Sequence, residues 1–412
     1  MTQTYHAVIS GGGMVGLTLG LALARGGLKV AVVDALAPEA QTAERFDGRV
    51  SAVAFASCRM LKTLGLWPRL GPHAQPINDI VVTDGSVRHG ASPFFLHFDH
   101  REIGAEPLGH LIENRHLRMA LLAAAAECPG LTLIAPDEVV GAAPGERETL
   151  VALKSGLRLG APVCLAAEGR ASPLREAAGI KLIKWDYRQD GVVTTVEHER
   201  PHQGIAQEFF LPGGPFAILP MVGNRSSLVW TERRETARAL LALGEAAFTQ
   251  ELQARFGDYL GAARPVGPRW SYPLGLQMAR SYIAPRLALV GDAAHGIHPI
   301  AGQGLNLGLR DVAALAEVLI EARRRGADIG NESVLARYQR WRRFDNLTLA
   351  LAMDALNRLF ANDFGPLRLA RDVGLSIVSR IAPARAMFMR HAGGAVGLTD
   401  ESLPRLLRGE AI

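Results

Sequence analysis

The chain has 412 residues, of which 48% are hydrophobic and 21% charged, with a formal net charge of +5. That length supports two or three domains around a substantial core, and the composition is that of an ordinary globular enzyme. Its basic residues are dispersed apart from Arg323–Arg325 and Arg342–Arg343, aromatics are only 6%, and no nucleic-acid motif is present, which argues against a nucleic-acid partner. The three cysteines, Cys58, Cys128 and Cys164, show no Cys-x-x-Cys spacing and read as reduced thiols, with no metal site. A strand begins almost at the first residue, so no signal or transit segment is expected. No apolar run reaches the roughly 18 residues that span a bilayer. The longest, from Leu347 to Phe360, is interrupted by Asp354, Asn357 and Arg358. The expected location is cytoplasmic, peripheral to the inner membrane at most.

In chain order, His6-Ala-Val-Ile9 reads as a short buried strand, Met14 to Arg25 as a Leu/Ala-rich helix ended by Gly26-Gly27, and Lys29-Val-Ala-Val-Val33 as a second, parallel strand closing on Asp34. Residues 50–66 read as a helix and 77–105 as irregular β structure. Asn114 to Glu127 is a strong helix, Leu131-Thr-Leu-Ile134 a strand, and Leu150 to Leu165 two strands. Between 191 and 231 the texture changes. Val192–Val196, Ala206–Leu211, Phe216–Leu219 and Ser226–Thr231 predict an antiparallel sheet with turns at Pro212-Gly-Gly-Pro215 and Gly223-Asn224. A helical pattern runs from Thr236 to Arg255, and the chain is mostly helical after a second glycine-rich turn near 302.

Two glycine-rich turns carry the chemistry. Gly11-x-Gly13-x-x-Gly16 follows a strand and opens a helix, the arrangement in which backbone N–H groups and a helix dipole meet a pyrophosphate. Asp34 stands where it can accept hydrogen bonds from adenosine ribose hydroxyls. At the far end of the chain, Leu287-Ala-Leu-Val290 is a buried strand leading into Gly291-Asp292, whose carboxylate reads as a ligand for ribityl or ribose hydroxyls or as a helix cap. Gly302-Gln-Gly304 then opens a helix from about Leu305, and its N–H groups suit the electron-rich edge of a flavin. Two such turns suggest one large cofactor held at two points, which fits FAD better than a nicotinamide.

The block Gly291-Asp-Ala-Ala-His-x-x-His-Pro-x-Ala-Gly-Gln-Gly-Leu-Asn-x-Gly308 resembles the flavin-contacting motif of the class A FAD-dependent aromatic hydroxylases, the p-hydroxybenzoate hydroxylase-like group. Within that group the chain is most similar to the ubiquinone-biosynthesis hydroxylases. Arg49-Val-Ser-Ala-Val53 running on to Leu64-Gly-Leu-Trp67 looks like the family's first helix, and Glu113-Asn-Arg-His-Leu117 like its second. Gly214-Pro-Phe-Ala-Ile-Leu-Pro220, Ser227-Leu-Val-Trp230, Tyr272-Pro-Leu274 and Leu403-Pro-Arg-Leu-Leu-Arg-Gly409 agree too, so the resemblance covers essentially the whole chain. It departs at Ser10, where many members have Gly, and at Ala167-Glu168-Gly169-Arg170, where Ala-Asp-Gly is usual. Glu168 puts the use of a nicotinamide donor in question.

The resemblance implies an α/β fold: a discontinuous Rossmann-like FAD-binding domain (1–75, 107–180 and 272–345), an inserted antiparallel-sheet substrate domain (76–106 and 181–271) and a C-terminal helical region (346–412). It implies that Gly11, Gly13, Met14, Gly16 and Asp34 hold the adenosine diphosphate half of FAD, and that Arg49, Arg115, Gly291 and Asp292 serve its pyrophosphate and ribityl region. Pro299, Gly302, Gln303, Gly304, Leu305 and Asn306 would line the isoalloxazine. The implied reaction is hydroxylation of a polyprenyl phenol by a flavin C4a-hydroperoxide formed from NAD(P)H and O2. Such a reaction needs no nucleophile or metal. His298, beside the flavin-facing Pro299, is the candidate base, and His295 reads as structural. The expected partners are the polyprenyl phenol and O2, with other ubiquinone-biosynthesis proteins, a membrane surface and a second copy of the chain as further candidates. The Leu/Ala/Met-rich stretches 347–360 and 367–389 read as core helices, a tunnel, a membrane patch or a dimer face. The alternatives are an FAD-dependent hydroxylase of another aromatic compound, a prenyl reductase, or a non-catalytic flavoprotein in a quinone-synthesis complex. The Trp-x-Trp-x-Ile-Pro motif of flavin halogenases is absent.

Overall fold

Ala7–Ser10 and Val30–Val33 are buried at every position, as strands covered on both faces must be. They pair in parallel, Ala7 beside Val30 and Ser10 beside Val33. The computed structural model, which describes residues 2–42, 48–86, 90–297, 302–360, 389 and 402–412, extends this pair into a six-stranded sheet. Its order is Ile283–Ala284, Leu287–Leu289, Val163–Ala166, Ala7–Ser10, Val30–Val33 and Leu131–Ile134, parallel except at the first strand. Three separated stretches of sequence therefore build one sheet. The helix Met14–Arg25 buries Gly16 to Leu23 and packs between Asn114–Ala126 and Gln303–Arg324.

A nine-stranded sheet lies beside it, counting the described residues. Its main order is His295–Gly296, Trp270–Ala279, Leu182–His198, Arg225–Arg233, Gly214–Met221, Ile205–Leu211, Asp79–Ser86 and Gly90–Asp99. The four strands read from 191–231 are all present, and Ile205–Leu211 adds Asp79–Ser86 in parallel. Strand alternation divides this sheet into two faces. Val192, Phe216, Leu228 and Trp230 turn outward onto Ala237, Phe248 and Phe256 of the helices Arg234–Ala242 and Glu245–Phe256. Ala206, Leu219 and Met221 turn inward onto Val50, Ala52, Ile77 and Leu111.

Three readings need correction. Residues 50–66 are not one helix: Val50–Ala54 is a strand, paired antiparallel with Gly109–Glu113, and only Phe55–Thr63 is helical. The side chain of Asn306 accepts from Ala54 N at 2.9 Å and donates to Ala52 O at 2.8 Å, so partners distant in sequence override local helical preference. Leu150 to Leu165 spans three strands, Thr149–Leu153, Arg158–Ala161 and Val163–Ala166, the first two joined by a turn with Gly156 at φ +90°. Thr236 to Arg255 is two helices, broken at Leu243-Gly244. Beyond residue 302 the described chain is helical as expected, with Gln303–Arg324, Glu332–Phe360 and Arg405–Arg408.

Candidate functional site

The first turn is shaped by close backbone approach. Gly11 has φ +101°, and a Cβ there would lie 2.5 Å from the Ala167 carbonyl oxygen, so only glycine fits. Gly12 N donates to Asp34 Oδ2 at 2.6 Å, while Asp34 Oδ1 accepts from Leu36 N at 2.8 Å and Gln41 Nε2 at 3.1 Å. The carboxylate thus fastens the end of the second strand to the turn and keeps lone pairs for hydroxyl donors. Gly13 caps the helix Met14–Arg25 with no side-chain hydrogen bond, and a Cβ on it would meet nothing within 4 Å. The helix N-terminus consequently opens onto free space, the arrangement that receives a phosphate.

The second turn repeats this logic. Gly291 has φ +61°, and its N–H donates to Asp311 Oδ2 at 3.0 Å. Asp292 makes no capping bond; its carboxylate is half exposed, 3.4 Å from Arg170 Nε. The helix-cap reading of Asp292 is thereby set aside. Gly302, at φ +63°, begins the helix Gln303–Arg324 with no side-chain cap, and the Gly304 that follows has open space where a Cβ would project. Gln303 is buried and Leu305 half-buried, and the Asn306 side chain is committed to the backbone of residues 52, 54 and 302. His298 and Pro299 lie outside the described residues.

One side chain joins the two turns. Val15, in the first turn of the first helix, lies 3.2 Å from where a Cβ on Gly291 would sit and 2.7 Å from where one on Gly308 would. Two uncapped helix starts and two half-covered carboxylates, Asp34 and Asp292, therefore belong to one seam. These residues fit a cofactor with a diphosphate, vicinal hydroxyls and an electron-rich ring edge. Of the two arginines, Arg49 lies over the Trp270 ring at 5.7 Å and Arg115 Nε donates to Glu113 Oε2 at 2.6 Å.

Behind the second turn is a buried polar network. His295 Nε2 is 2.5 Å from Asp311 Oδ2, and Arg342 Nε donates to Asp311 Oδ1 at 2.8 Å. Arg342 continues to Asp345 and Asn346 at 2.5 and 2.6 Å. Burial alone would raise the Asp311 carboxyl, but His295 and Arg342 outweigh it and hold it at about 2. The network ties the Gly291 turn to both long helices. His295 accordingly has the structural place expected of it.

Residues 4–344 match the FAD binding domain family. Ubiquinone hydroxylase UbiL of Rhodospirillum rubrum is 51% identical over 402 residues, covering 98% of this chain and 92% of that protein. The 3-demethoxyubiquinol 3-hydroxylase of Escherichia coli is 34% identical over 394 residues, covering 95% and 99%. The chain belongs to the FAD-dependent hydroxylase family of ubiquinone biosynthesis. It is an FAD-binding monooxygenase, and its mixed α/β fold matches p-nitrophenol 4-monooxygenase PnpA of Pseudomonas putida with a TM-score of 0.79 at 19% identity, over 96% of this chain and 99% of that one.

Two features of this family member were not foreseen. Two side chains of the first turn's surroundings touch: Ser10 Oγ donates to Glu168 Oε1 at 2.7 Å, and Ser172 Oγ donates to the other carboxylate oxygen. Arg175, 1% exposed, donates to the carbonyls of Arg170 at 2.9 Å and Ala293 at 3.1 Å, clasping the 167–170 turn to the Gly291 turn. No local signal marks Arg175, because its partners meet only in the folded chain. The cysteines behave as expected: all three are free, and burial pushes the thiols of Cys58 and Cys164 up to about 12. Among the described residues no cluster suits a metal ion.

Proposed function

We propose that this chain hydroxylates the aromatic ring of a polyprenyl phenol in ubiquinone biosynthesis, with FAD as cofactor, O2 as oxidant and NAD(P)H as electron donor. The observation that carries the reading is the single seam of two uncapped helix starts, in a chain so like the ubiquinone hydroxylases along its whole length. Gly13, Met14 and Gly16 would give N–H groups and the dipole of the first helix to the diphosphate, while Gly11, whose own N–H donates to the Val33 carbonyl at 2.8 Å, would keep the turn tight beneath it. Asp34 would accept from the adenosine ribose, and Gly291 and Asp292 from the ribityl side, with Arg49 and Arg115 adding positive charge nearby. Gly302, Gln303, Gly304, Leu305 and Asn306 would set the second helix start against the isoalloxazine, favouring negative charge there. FAD when bound supplies the redox and oxygen-transfer chemistry; the protein orients the ring and excludes water from it.

In this reading the parallel sheet forms a discontinuous cofactor unit, and the inner face of the nine-stranded sheet receives the phenol. Among the described residues no helix is long and apolar enough to cross a membrane. Phe344, Leu347 and Leu351 nevertheless stand 77%, 44% and 58% exposed along one side of the helix Glu332–Phe360. That stripe supports peripheral contact with a lipid surface, where a prenylated substrate would reside. Deleting the gene in its host and identifying the accumulated aromatic intermediate by mass spectrometry tests the reading. A prenylated ring short of one hydroxyl is expected; an unchanged quinone pool would overturn the assignment.

A further inference from the structure

We infer that Glu208 receives the hydroxyl group of the ring substrate, as a carboxylate acceptor on the inner face of the large sheet. The inference rests on the proposed reading of the substrate as a phenol. Glu208 sits in the strand Ile205–Leu211, directly opposite Ala217 on one side and Val82 on the other. Following the register outward gives a continuous row across seven positions: Trp270, Val193, Val229, Ala217, Glu208, Val82 and Leu96. Residues in register share a face, so the row is apolar apart from one carboxylate and the Trp270 indole N–H at its edge.

That face is the one turned toward the cofactor seam. Ala206, two residues before Glu208 and hence about 7 Å along the same side, packs in one cluster with Leu219 and Ala52. Ala52 is the residue whose methyl lies 3.1 Å from where a Cβ on Gly302 would be. Glu208 is thus one strand repeat from a residue of the cluster that reaches the second glycine turn. At its other end the row reaches Trp270, under the Arg49 guanidinium.

Glu208 lies deep in the protein, yet part of its surface is uncovered. No described residue donates a hydrogen bond to it, and burial pushes its carboxyl up to about 7. An unpartnered carboxylate in such a place is destabilising unless a ligand supplies the donor. A phenolic O–H does so, and the apolar row takes the ring. The other ionisable groups in register on this face include Asp84 opposite Phe210, Tyr272 opposite Gly191, Arg225 between Met221 and Glu197, Arg264 opposite Glu197, and Arg233 opposite Gln189. Asp354 lies on the helix Glu332–Phe360, which packs on the strand Gly214–Met221. The sequence offered no signal for Glu208, because a single Glu in a strand reads as a solvent-facing position.

The test titrates 2-prenylphenol and its methyl ether into FAD-loaded protein, following the visible flavin spectrum. Wild type is expected to bind the phenol roughly ten- to a hundredfold more tightly than the ether, the range for a charge-assisted hydrogen bond. Glu208→Gln is expected to hold FAD in full and lose most of that preference, with Glu208→Asp retaining part of it. If Glu208→Gln keeps the wild-type preference, the inference about Glu208 is overturned while the phenol reading stands. If wild type responds to neither probe, the phenol reading fails, and this inference with it.

Discussion

Val15 occupies the space that a side chain on Gly308 would need, its Cγ2 only 2.7 Å from where that Cβ would project. The same side chain abuts Gly291, so one valine sets the distance between the two glycine turns. Replacing an interior helical glycine by alanine ordinarily stabilises by up to about 1 kcal/mol. Here overpacking against Val15 should reverse the sign. Gly308→Ala is expected to lower stability by about 1–3 kcal/mol and to reduce flavin content. Thermal unfolding and absorbance of the purified variant check this, and an unchanged or higher midpoint would show that the seam yields.

Asp311 is the hub on which Gly291, His295 and Arg342 converge. Asp311→Asn removes one of the two carboxylates that face Arg342, Asp345 remaining, and is expected to cost about 2–3 kcal/mol, the range for hydrogen bonds to a charged group. Urea unfolding at neutral pH should register that loss, together with weaker FAD retention. The sign with pH follows from the lowered carboxyl. Its stabilising contribution is present above the ordinary carboxylate range and disappears as pH falls toward about 2.

Ser10 and Glu168 bond to one another across 158 positions of sequence. Ser10→Gly and Glu168→Asp are each expected to destabilise by about 1 kcal/mol. The double variant should lose less than their sum, because the shorter carboxylate no longer requires the serine. A double-mutant cycle on unfolding free energy measures the coupling, and strict additivity would mean that the two substitutions are independent.

His110 stands edge-on to Trp67, with ring centroids 4.9 Å apart, and its Nδ1 lies 3.5 Å from Cys58 Sγ. Burial, with Lys62 adding to it, lowers its pKa to about 4. The unfolded chain takes up this proton near the ordinary histidine value, so between about 6.5 and 4 it binds more protons than the folded protein. Stability should therefore fall as pH drops through that window. Midpoints for His110→Phe should depend less on pH there than wild type, and parallel curves would remove the role.

Legibility followed the sequence distance of the partners. Met14–Arg25 and Leu131–Ile134 were read to the residue, because a glycine stop and a short β-rich run are local signals. The strand Val50–Ala54 was read as helix, because pairing with Gly109–Glu113 and the Asn306 side chain decides it. The candidate site divides in the same way. Both glycine turns and both carboxylates were visible as motifs. Arg175, the Asp311 hub, the Ser10–Glu168 bond and Glu208 depend on elements that meet only in the folded chain.

The most direct test of the central claim is isotopic. The FAD-loaded protein is reduced with NADPH or NADH under 18O2, in the presence of the phenol that accumulates in the deletion host. The account predicts a product whose new ring hydroxyl carries one 18O atom, with one nicotinamide oxidised per hydroxyl formed. Nicotinamide oxidation that yields only labelled peroxide, or a hydroxyl oxygen drawn from water, would contradict it.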